Sequence, residues 1–97
     1  MCGAPKQGGS LAGIDRSTQT VIQGAVWHDG APVAGAYVRL LDATDEFTAE
    51  VVTSPEGEFR FFAAPGEWKV RSLSPVGRGE RTLSAEVGLN ETTVVID

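Results

Sequence analysis

Residues 21–70 alternate apolar and polar positions in short runs, VIQGAVWHDGAPVAGAYVRLLD and then TSPEGEFRFFAAPGEWKV. Asp29-Gly30, Pro55-Glu56-Gly57 and Pro65-Gly66 interrupt those runs. A two-residue period sends successive side chains to opposite faces of a strand, and turn residues at this spacing mark a small antiparallel β-sandwich. Residues 20–27 place Ile22, Gly24 and Val26 on one face and Val21, Gln23, Ala25 and Trp27 on the other. Residues 36–41 turn Ala36, Val38 and Leu40 inward and Tyr37 and Arg39 outward. Residues 47–53 carry Phe47, Ala49, Val51 and Thr53 on one side. Phe59 and Phe61 point inward from residues 58–62. After the turn at 63–66, Trp68, Val70 and Ser72 face the core, and Lys69 and Arg71 face water.

Residues 74–79 read as a loop. Residues 81–87 form a further strand with Leu83, Ala85 and Val87 on one face, and residues 92–96 a last one with Val94 and Ile96 inward. The expectation is therefore an all-β, seven-stranded Greek-key sandwich. Its core is Ile22, Val26, Val38, Leu40, Val51, Phe59, Phe61, Trp68, Val70 and Val94. The strongest helical window, residues 43–52, is opposed by its β-branched residues and by its period of two. Residues 1–19 hold no period and are rich in glycine and polar residues, so they predict a flexible N-terminal tail on a domain of residues 20–97. Leu11 and Ile14 are its apolar handholds.

Composition narrows the function classes. A chain of 97 residues makes one domain. Its net charge of -5 disfavours nucleic acid and anionic membranes as partners, because phosphate binding needs a basic footprint. No apolar run reaches the ~18 residues of a membrane span. The first twenty residues lack the basic and apolar regions of a signal peptide, and the single cysteine has no internal partner, so a cytoplasmic setting is expected.

The chemistry-bearing residues are few. Cys2 lies on the tail near Lys6, whose charge favours thiolate, which makes it the candidate sulfur carrier. No second cysteine or histidine base stands beside it in sequence, so it would carry sulfur rather than turn over substrate. His28 is the one histidine, too few for a metal site. Asp42, Asp45 and Glu46 do not have the spacing of a calcium loop. Trp27, Tyr37 and Arg39, all outward by alternation, are the candidate binding surface. No nucleophile elbow, phosphate loop or dinucleotide fingerprint occurs, so no catalytic residue, cofactor or metal is assigned and the protein is expected not to be an enzyme.

Several motifs carry a resemblance. Ile22-x-Gly24-x-Val26, Asp29-Gly30-x-Pro32-Val33-x-Gly35-Ala36-x-Val38-x-Leu40, Thr53-x-x-x-Gly57-x-Phe59-x-Phe61 and Pro65-Gly66-x-Trp68-x-Val70 resemble the carboxypeptidase regulatory-like domain. That family belongs to the prealbumin, or transthyretin-like, sandwiches, and the likeness implies an accessory or binding module. The hydrolases and ring-cleaving dioxygenases of related sandwiches need histidines that this chain lacks, and Lys6 and Lys69 are poorly placed for an isopeptide bond.

The whole chain also resembles a group of short actinobacterial proteins that open Met-Cys-x-Ala-Pro-Lys-Gln. The likeness is carried by Met1, Cys2, Ala4, Pro5, Lys6 and Gln7, by Val38 through Asp42, by Asp45 through Val52 and by Phe59 through Gly66. Members are often encoded beside a thiosulfate sulfurtransferase, which implies a link to sulfur metabolism. Together these readings predict a protein-interaction module, monomeric or homodimeric, with a thiosulfate sulfurtransferase as candidate partner. The alternatives are a sulfur carrier acting through Cys2 and the carbohydrate-binding module of a surface lipoprotein.

Overall fold

The computed structural model describes residues 19–96. Eight strands follow one another: β1 (Thr20–His28), β2 (Ala31–Pro32), β3 (Tyr37–Leu41), β4 (Phe47–Val52), β5 (Glu58–Ala63), β6 (Gly66–Ser74), β7 (Gly77–Ala85) and β8 (Gly88–Ile96). They form two sheets packed face to face. In the first, β1 is central. It runs parallel to β8 along its whole length, from Thr20 opposite Gly88 to His28 opposite Ile96. On its other edge it is antiparallel to β5 and then, at Trp27 and His28, to the short β2. The second sheet is antiparallel throughout, in the order β4-β3-β6-β7. Strands β3, β4 and β5 follow in sequence and β6 returns to lie beside β3, with β5 in the facing sheet, which is a Greek key.

The seven expected strands are all present, and β2 is an addition of two residues in a stretch that reads as consecutive turns. The expected loop at 74–79 is instead a tight hairpin. β6 runs to Ser74 and β7 starts at Gly77, which pairs with it. Nine of the ten expected core residues are buried. Trp68 is the exception: it is half-buried at the rim, packs against the core, and its Nε1 donates to the Ala64 carbonyl at 2.8 Å.

Four further positions depart from strict alternation. Val21, on the outward face of β1, is fully buried, lying in register between Phe62 of β5 and Leu89 of β8. Leu41 is buried because a bulge between Leu40 and Leu41 shifts the register against β4. Phe47 is exposed at the start of β4, opposite that bulge. Val87 is exposed because β7 ends at Ala85.

Two glycines decide how closely strands approach one another. A side chain on Gly24 would overlap the Thr92 carbonyl of β8, the neighbouring strand, and press on the Phe59 ring. A side chain on Gly79 would strike the Val95 carbonyl, so β7 closes over β8 on that side of the sandwich.

Thr53 pins the loop between β2 and β3. Its buried hydroxyl accepts from the Ala36 N–H at 2.8 Å and donates to the Val33 carbonyl at 2.7 Å. Thr53→Val keeps the shape and removes both bonds. It is expected to lower stability by about 1–3 kcal/mol in urea melts, since the Ala36 N–H is left buried and unpaired.

Candidate functional site

The outer face of the β4-β3-β6-β7 sheet gathers charged residues of both signs. Strand register sets it out in rows. Glu50, Arg39, Arg71 and Glu80 stand side by side across the four strands. Val52, Tyr37, Leu73 and Arg78 form the adjacent row. Arg39 therefore lies directly opposite Arg71 on the two central strands, an arrangement that is unfavourable for like charges.

Each arginine leans away toward an acid on the flanking strand. Arg39 Nε donates to Glu50 Oε2 at 2.7 Å. Arg71 places both Nε and Nη2 at 3.0 Å from Glu80 Oε1, so two donors converge on one oxygen. Arg78 makes no ion pair among the described residues. Arg39, Arg71, Leu73, Arg78, Gly79 and Glu80 line a shallow depression of about 610 Å³. Tyr37, 53% exposed, stands opposite Leu73 at its rim.

Beside it, Lys69 Nζ lies 2.6 Å from Asp45 and 3.8 Å from Glu80. The hydrogen bond to Asp45 raises the Lys69 pKa above its ordinary value. Asp42 shapes the β3–β4 loop. Its Oδ1 accepts from the Thr44 hydroxyl at 2.6 Å, the Thr44 N–H at 2.8 Å and the Glu46 N–H at 3.0 Å. These bonds, the Thr44 hydroxyl foremost, lower the Asp42 pKa. The turn they hold is thus complete above the ordinary carboxylate range and loosens as pH falls through that lowered value. Asp42 and Asp45 are engaged in loop and ion-pair contacts, and no group of three or more potential metal ligands occurs among the described residues.

The sequence-predicted surface divides between the two faces of the sandwich. Tyr37 and Arg39 share the face just described. Trp27, 38% exposed, lies on the outer face of the first sheet beside Val95, so the three residues do not form one platform. His28 is structural: its Nδ1 lies 3.1 Å from the Ile96 carbonyl and ties β1 to the end of β8. Cys2 and the other tail residues up to 18 fall outside the described residues. Sequence reasoning missed Arg71, read only as solvent-facing, and Arg78, placed in a loop. The outward parity of Arg71 was visible, but that of Arg78 was hidden by the loop reading, and the position of both beside Arg39 depends on strand pairing.

Two sheets in this order, one of them with an exposed charged outer face, define a β-sandwich. Among solved structures it is similar to a DUF3823 family protein from Parabacteroides merdae, with a TM-score of 0.67 over 81% of this chain and 46% of that one. At 14% identity that likeness concerns the fold.

The chain belongs to the family described as "Protein of unknown function (DUF1416)", whose model matches residues 2–96. It is 52% identical to the uncharacterized proteins Rv0814c and Rv3118 of Mycobacterium tuberculosis, over 99% of each chain. An uncharacterized protein of Mycolicibacterium smegmatis is 53% identical over 88% of this chain and 97% of its own. No helix among the described residues is long and apolar enough to cross a membrane.

Proposed function

We propose that the chain is a non-enzymatic protein-interaction module that docks a partner on the outer face of the β4-β3-β6-β7 sheet, with Tyr37 and Arg39 at its centre. One observation carries this reading: an exposed tyrosine stands one row along from a pair of arginines on the two central strands, where the backbone is held on both sides. Tyrosine and arginine supply a large share of binding energy at protein interfaces, and a rigid sheet presents them without an ordering cost. The resemblance to carboxypeptidase regulatory-like domains supports an accessory role. The resemblance to proteins encoded beside a thiosulfate sulfurtransferase supplies a sulfur-metabolism setting in the cytoplasm and names the partner to test first.

The test is calorimetric titration of the purified protein with that sulfurtransferase. Tyr37→Ala is expected to weaken binding by about tenfold or more, as loss of an aromatic anchor does, while melting is unchanged because Tyr37 is exposed. Full affinity in Tyr37→Ala, or no binding by the unaltered chain, overturns the reading.

A further inference from the structure

We propose that Arg39, Arg71 and Arg78 form a carboxylate-receiving site, so that the partner docks through an acidic segment laid along this face. This rests on the docking reading above and names the chemistry of the docked element. Four observations converge. Arg39 and Arg71 face one another across β3 and β6 with no anion between them in the row, each drawn sideways to an acid on the outer strand. Arg78, diagonal to Arg71 on β7, has no ion pair among the described residues. Three arginines and one carboxylate line the depression, so its local charge is opposite to the chain's net charge of -5. Finally, the next row across places Val52, Tyr37 and Leu73 alongside, an apolar strip that suits the flanking residues of an extended peptide.

The two acids in place show which chemistry the arginines accept: planar carboxylates at hydrogen-bonding distance. A carboxylate entering between Arg39 and Arg71 would relieve the like-charge pair and complete the donor forks that Glu50 and Glu80 occupy in part. The depression is shallow and open, so a small free oxyanion would remain hydrated there. A segment carrying several carboxylates gains from all three arginines and from the apolar strip.

The test uses nitrogen-15 spectra of the chain, with arginine Nε signals included. Three probes are titrated: a ten-residue peptide alternating glutamate and valine, its glutamine counterpart, and inorganic sulfate. The glutamate peptide is expected to move the signals of Tyr37, Arg39, Arg71, Leu73 and Arg78 together, with weaker binding as salt rises. Arg71→Gln is expected to weaken that binding by about tenfold, the size of one charge-assisted contact, with the melting temperature held. Arg60→Gln, on the other sheet, should change nothing.

Equal binding of the glutamine peptide overturns the proposal. So does sulfate binding as tightly as the glutamate peptide, which would make this a small-oxyanion site. If sulfurtransferase binding is lost in Tyr37→Ala but kept in Arg71→Gln, and the glutamate peptide moves none of these signals, the docking reading stands and the carboxylate site falls.

Discussion

Gly24→Ala is expected to prevent the chain from reaching its native sheet pairing. Elsewhere such a change can stabilise a protein by reducing the freedom of the unfolded chain. Here the added methyl would overlap the carbonyl group of Thr92, which is directly in register on β8. That atom belongs to a backbone held in a nine-residue strand, so it cannot swing aside as a side-chain tip would. The Phe59 ring blocks the remaining space, with its Cζ 3.0 Å from the point where the methyl carbon would sit. Relief requires β1 and β8 to part, which breaks the parallel pairing at its middle. The expected result is a collapsed nitrogen-15 spectrum and loss of a cooperative thermal transition. A variant that melts within a degree or two of the parent would show that β8 does not lie this close to Gly24.

Phe59→Ala is expected to remove about 3–5 kcal/mol, the cost of deleting a buried aromatic ring and leaving a cavity. Phe59 is 1% exposed, and its ring sits 5.9 Å from that of Phe61 in a tilted pair. It also fills the space that Gly24 leaves open. Small domains hold roughly 5–15 kcal/mol in total, so this one substitution takes a large share. Urea unfolding measures it directly. A loss under about 1 kcal/mol would mean that the ring does not occupy the centre of the core. Phe62, next along β5 but 59% exposed, is the internal comparison: its truncation should cost far less.

Much of the fold is legible in the sequence because alternation and turn chemistry are local. Ile22, Val26, Val38 and Leu40 can be assigned to the core from their neighbours two residues away, and the structure buries each of them. The exceptions share a cause. Alternation tells which face a residue is on, but not whether that face is covered, so Val21 reads as outward although it is buried. Nor does it foresee a bulge, and one extra residue on β4, Thr48, facing the step from Leu40 to Leu41, changes what Leu41 and Phe47 meet. Gly77 and Gly79 read as loop punctuation, yet Gly79 is required within a strand by the Val95 carbonyl.

The candidate site was legible only in part. Tyr37 and Arg39 follow from local parity. Their union with Arg71 and Arg78, and their separation from Trp27, come from which strands pair, and that is decided by contacts distant along the chain.

The parallel pairing of β1 with β8 has a mechanical consequence. Residue 20 and residue 96 lie at opposite ends of adjacent strands, and all nine positions of β1 are paired along that seam. Tension applied between those two points runs along the strands and loads their hydrogen bonds in shear, so that the bonds share the force and must yield together. A hairpin pulled at its open end would instead unzip one bond at a time. Under stretch the domain should therefore behave as a stiff link, its lifetime governed by the unfolding rate of this one seam.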